Sequence, residues 1–104
     1  MGLEVYWTRF AENKLNEIYD YYEAKARPRI ARKLVFGIVD STIRLEKNPY
    51  IGQKEDPLVD RPHDFRYLIY KNYKIIYWVD ITNKRVYVAN VFDCRQNPEK
   101  IKEF

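Results

Sequence analysis

One cysteine, Cys94, and one histidine, His63, occur in 104 residues. A lone thiol rules out an intramolecular disulfide and fits a reducing cytoplasm, and one thiol with one imidazole cannot make a zinc site. Glycine is scarce as well: Gly2, Gly37 and Gly52 are too scattered for a phosphate-cradling loop. No apolar run approaches the length of a membrane span, and the N-terminal MGLEVYWTRF has no secretory hydrophobic region. Repeats and low-complexity tracts are absent, and no helix pattern carries the Gly-containing turn and basic second helix of a helix-turn-helix reader. These absences lead us to expect a soluble cytoplasmic protein with no metal, no cofactor and no membrane partner.

Tyrosine is plentiful, with ten residues, and 46% of the chain is hydrophobic. That is enough to bury a modest core, and residues 1–104 read as one domain. The net charge of +4 is unevenly placed. Residues 1–60 balance ten Lys/Arg with ten Asp/Glu, whereas residues 61–104 hold nine against five. A basic, aromatic second half suits a polyanion such as RNA or an acidic protein, and equally a solvated surface.

The stretch 65–98, FRYLIYKNYKIIYWVDITNKRVYVANVFDCRQNP, holds three runs dense in Tyr, Ile, Val, Trp and Phe: Phe65–Tyr70, Tyr73–Asp80 and Arg85–Phe92. The breaks, Lys71-Asn72 and Ile81 to Lys84, are too short for a parallel return, so the runs predict an antiparallel meander. In the middle strand Tyr73, Ile75, Tyr77 and Val79 share one face; Lys74, Ile76, Trp78 and Asp80 share the other. Neither face is plainly polar. The second is expected to lack a cover of the chain's own and to serve as a docking surface.

Upstream, Leu3 to Trp7 reads as an edge strand and Thr8 as the N-cap of a helix running from Arg9 to about Lys25. Its apolar positions Phe10, Ala11, Leu15, Ile18, Tyr19 and Tyr22 recur at spacings of three and four. After Pro28 a second stripe, Ile30, Ala31, Leu34, Val35, Ile38, Thr42 and Leu45, predicts a helix to about Lys47, stopped by Asn48-Pro49. Gly37 inside it marks close packing or a tolerated flaw. Tyr50 to Asp64 has no period and reads as an exposed loop, and Glu99 to Phe104 has room for a turn or so of helix. The fold class is α+β: a two-layer β-α-α-β-β-β arrangement, an antiparallel sheet packed on a helical hairpin.

This order, the LEKNP helix ending at residues 45–49 followed by Gly52, the FRYLIYKNYKIIYWV hairpin and the VFDCRQNP ending together resemble the RelE/ParE toxins of bacterial type II toxin-antitoxin, plasmid-stabilisation modules. The resemblance covers nearly the whole chain. It implies a toxin neutralised by a cognate antitoxin encoded beside it, acting either on ribosome-bound mRNA as a metal-independent endonuclease (RelE-like) or on DNA gyrase as an inhibitor (ParE-like). The alternative is a non-catalytic RNA-binding or protein-interaction module of the same fold.

Metal-free cleavage through a 2′-hydroxyl needs a base, an acid and cations around the phosphate. By the resemblance Lys74 and Arg95 match the basic residues of RelE-like toxins, with Arg66 as a third catalytic cation. Lys71 and Arg61 are candidates for flanking phosphates. Trp78 shares a face with Lys74 and is a candidate for stacking a base or for packing under the tail or an antitoxin. The Tyr or His-Tyr pair usual near the C-terminus of active RelE-like toxins has no counterpart in residues 96–104, where Glu99 and Glu103 are the only acid-base residues. His63 reads as a solvated loop residue and Cys94 as a small buried or half-buried thiol.

Overall fold

The computed structural model describes residues 2–58 and 60–104. β1 (Glu4–Trp7) leads into α1 (Arg9–Lys25) and α2 (Pro28–Ser41); β2 (Gln53–Lys54) is a two-residue strand, and β3 (Arg66–Tyr70), β4 (Tyr73–Asp80) and β5 (Arg85–Asp93) form the meander. Short 3-10 helices occupy Ile43–Glu46, Asp56–Leu58 and Pro98–Glu103, the last about two turns long. The sheet order is β1-β5-β4-β3-β2. The expected α+β class holds, with two changes in the sheet, one of them the short β2 added at the β3 edge. β1 pairs with β5 in parallel, which the helical hairpin between them permits because it supplies the long crossover a parallel pair needs.

The N-cap at Thr8 forms as expected. Its Oγ1 accepts from the Ala11 amide at 3.2 Å, while its own amide donates to the Val88 carbonyl at 3.0 Å, tying the start of α1 to the sheet. α2 ends earlier than its apolar stripe predicts. The Ser41 and Thr42 hydroxyls donate to the carbonyls of Ile38 and Val39, and this competition with the main chain tightens the continuation into a 3-10 turn in which Leu45 is still buried. Gly37 is required by packing: a Cβ there would lie 2.0 Å from the Tyr70 hydroxyl.

Tyr73, Ile75 and Tyr77 of β4 meet Ala11, Leu34 and Ile38 of the helices in the larger core. The opposite side is where expectation and structure part. It is not left open. Ile76, Ala89 and Phe92 are buried under Leu58, Phe65 and Ile101, with Trp78 and Phe104 at the margin. The segment 50–64 is therefore no plain exposed loop: β2 pairs with β3, Leu58 is a core residue and Glu55 is buried. The physical reason is the apolar character of that face, whose exposure would cost roughly 25 cal/mol per Å², so the loop and the tail fold over it.

Candidate functional site

Lys74 lies on the side covered by the loop, opposite Phe92 in the strand register. Its ammonium donates to Glu55 Oε2 at 2.9 Å and sits 4.4 Å from the centroid of the Tyr67 ring. Glu55 is only 4% exposed, so removing its cation would strand a charge in a poorly solvated site. Lys74 is thereby committed as a counter-ion.

Arg95 belongs to the other side. Asp93 stands opposite Tyr73 at the end of β5, on the helix-covered face. Arg95 grips it through Nε to Oδ1 at 3.0 Å, Nη2 to Oδ2 at 2.8 Å and its own amide to Oδ1 at 2.9 Å. Asn72 Nδ2 adds a bond to Oδ1 at 3.1 Å. The Arg95 guanidinium holds the Asp93 carboxyl down at about 2, and Asp93 in turn raises Arg95 above its ordinary value. Lys74 and Arg95, expected to act as a pair, are thus on opposite faces of the sheet, each with its own carboxylate.

Of the remaining candidates, Arg66, Arg61 and Trp78 are also occupied, and Lys71 is not. Arg66 donates to the carbonyls of Gly52 and Tyr50 and lies 5.2 Å from the Tyr50 ring, clamping the loop rather than facing a phosphate. Arg61 donates to main-chain oxygens of Lys102 and Phe104 and stacks over the Phe104 ring, so it fastens the tail. Trp78 stacks on two rings of its own chain, with His63 at 3.6 Å and Tyr87 at 4.9 Å between ring centroids, so its ring is already engaged. His63 is exposed as expected but is stacked rather than freely solvated. Lys71 is exposed in the β3–β4 turn with a left-handed φ of 54° and joins no ion pair among the described residues. Cys94 is exposed rather than half-buried, and what burial its sulfur has pushes the thiol up, away from nucleophilic use at neutral pH. Glu99 caps nothing catalytic; it pairs with Lys102 at 3.6 Å in the tail.

A cleft of about 320 Å³ opens where α1 passes over the end of β5. Ile18, Tyr21 and Tyr22 of α1 form one wall; Tyr73, Asp93 and Arg95 form the other. Burial first, then the neighbouring Tyr22 hydroxyl, pushes Tyr73 up to about 12, so it is a neutral hydrogen-bonding group at pH 7. Asp93 has no proton to give, and its oxygens are taken. The cleft has the size and mixed lining of a binding site, without a group poised near neutrality to move a proton. Of its residues only Arg95 stood out in the sequence. The two-residue spacing of Asp93 and Arg95 was a legible sign of their pairing, whereas Tyr22 was one more member of a helical stripe. Among the described residues no group of three or more His, Cys, Asp or Glu is gathered in metal-binding fashion.

Comparison with known proteins places this arrangement. Residues 5–98 match the family model described as the ParE toxin of the type II toxin-antitoxin system parDE. The chain belongs to the ParE toxin family. A ParE-family protein is the growth-arresting component of its module, and a cognate antitoxin is its partner. Among solved structures, one described as the chromosomal ParDE TA system from P. aeruginosa is similar in fold, with a TM-score of 0.72 and 24% identity over 88% of this chain and 95% of that chain. No curated protein sequence matches this ParE-family chain. No helix among the described residues is long and apolar enough to cross a membrane.

Proposed function

We propose that this ParE-family toxin arrests growth in the cytoplasm by binding DNA gyrase, and not by cutting mRNA on the ribosome. The observation that carries the reading is the separation of the cations. Cleavage needs several positive groups converging on one phosphate together with a group that moves a proton. Here Lys74 is bound to Glu55 on one side of the sheet, Arg95 is bound to Asp93 on the other, and Arg66 and Arg61 hold main-chain oxygens. What is left is the tyrosine-lined cleft beside α1, a surface suited to gripping a protein segment, because Tyr combines large contact area with a polar tip.

The test uses the purified chain. Added to gyrase with supercoiled plasmid, it should inhibit supercoiling and accumulate cleaved DNA, and added to translating ribosomes it should leave mRNA intact. Tyr21→Ala, which removes an exposed cleft side chain, should weaken the inhibition without altering thermal unfolding. Ribosome-dependent mRNA cleavage with unaffected gyrase would overturn the proposal.

A further inference from the structure

α2 turns Ala31, Leu34 and Ile38 into the core. At 3.6 residues per turn its opposite side carries Phe36, with Arg32 four residues before it, Lys33 three before and Arg29 seven before. Phe36 is 70% exposed, the most open large apolar side chain among the described residues, and the three cations are exposed with it. None of Arg29, Arg32 and Lys33 joins an ion pair among the described residues, unlike Lys74, Arg95 and Arg66. A fourth cation borders the patch: the Lys71 ammonium lies over the Tyr70 ring, whose hydroxyl abuts Gly37 beside Phe36.

An aromatic standing clear of the surface, beside three cations that join no ion pair among the described residues, has the composition of an interface anchor awaiting a pocket with an acidic rim. A second copy does not fit, since a two-fold contact through this patch would set Arg29, Arg32 and Lys33 against their own copies. Nucleic acid fits poorly. Asp40 stands one turn beyond Phe36 on the same exposed face, and a lone ring on a helix crest gives no platform on which successive bases stack.

We propose that the outward face of α2 is where the cognate antitoxin anchors, through an acidic segment that encloses Phe36 and sets carboxylates against Arg29, Arg32 and Lys33. This surface is distinct from the cleft beside α1, and it holds whether the toxin acts on gyrase or on the ribosome. Neutralisation and poisoning then use different parts of the molecule and can be separated by substitution.

The experiment is calorimetric titration of the purified toxin with the antitoxin encoded in its module, using wild type, Phe36→Ala and the triple reversal Arg29→Glu/Arg32→Glu/Lys33→Glu. Phe36→Ala should weaken binding by about tenfold or more, as truncation of an interface anchor does. The triple reversal should weaken it at least as much and flatten its dependence on salt. Both variants should unfold like wild type and still arrest growth when expressed alone. Affinities within about twofold of wild type for both variants would overturn the assignment, given how much an anchor normally carries. Loss of growth arrest with antitoxin affinity intact would overturn it in favour of a target-binding surface. Titration with duplex DNA in place of the antitoxin, if wild type binds it and the triple reversal does not while antitoxin affinity is intact, would overturn it in favour of nucleic acid.

Discussion

The two faces of the sheet are buried by different means. On one side α1 and α2 lay a continuous stripe across Tyr73, Ile75 and Tyr77, and each helix is a cooperative unit many residues long. On the other side a 3-10 turn at Leu58 and a six-residue tail with Ile101 cover Ile76 and Phe92, fastened by Arg61, Lys74 and the His63–Trp78 stack. Burial of the central residues is equally deep, with Ile75 and Ile76 both at 0% exposure. The lesson is that deep burial does not imply equal stability. A helix layer can be opened only with the fold, whereas a short irregular cover can lift by itself.

The largest effect should come from testing that difference directly. Ile38→Ala on the helix side should cost about 3–4 kcal/mol of global stability in urea unfolding, the usual penalty for truncating a fully buried aliphatic side chain. Ile101→Ala removes a side chain that is almost as buried, only 2% exposed. Its cost should be about 1 kcal/mol, because the tail can detach instead of leaving a cavity. Amide exchange should then quicken in residues 98–104 while the amides of β4 stay protected. Equal losses at the two positions would mean that the tail is as integral to the fold as the helices.

The second effect concerns the fastening on the loop side. Lys74→Met leaves Glu55 buried without its cation and should destabilise by about 2–3 kcal/mol, within the range for a buried charge that loses its partner. Adding Glu55→Leu should recover most of that loss and restore growth arrest in a cell assay. A double variant that regains the wild-type unfolding midpoint yet stays harmless would give Lys74 a role in toxicity beyond holding the loop.

The same contrast explains what the sequence made legible. Helix periodicity, the Thr8 cap and the alternation of β4 are local rules, and they located α1, the meander and the start of α2 to within a residue or so. The cover of the second face obeys no local rule. Nothing in the order of residues 50–64 links Glu55 to Lys74, or His63 to Trp78, since those pairings exist only after the loop has folded back over the strands. The expected pair of Lys74 and Arg95 failed for a related reason. Lys74 lies within a strand, where parity fixes its face, but Arg95 follows the end of β5, where alternation no longer applies and the nearest carboxylate, Asp93, decides its direction. Gly37 was readable as a helix defect, but the Tyr70 hydroxyl that demands it is 33 positions away in the sequence.

The smallest effect sharpens the comparison from the helix side, where the cleft rather than the core carries the charge. Asp93 has an ordinary value of 3.8 that Arg95, chiefly by its hydrogen bonds, lowers to about 2. A carboxyl held lower in the folded state than in the unfolded chain contributes its full stabilisation above the unfolded value and loses it as pH falls toward the folded one. Wild type should therefore lose stability between about pH 4 and pH 2 partly through this residue, and Asp93→Asn should flatten that part of the curve. The effect is modest because the Arg95 side chain is 61% exposed and solvent screens the pair. Urea midpoints at stepped pH decide the matter. If Asp93→Asn follows the wild-type acid profile unchanged, the pair with Arg95 adds nothing to stability and the acid loss has another source.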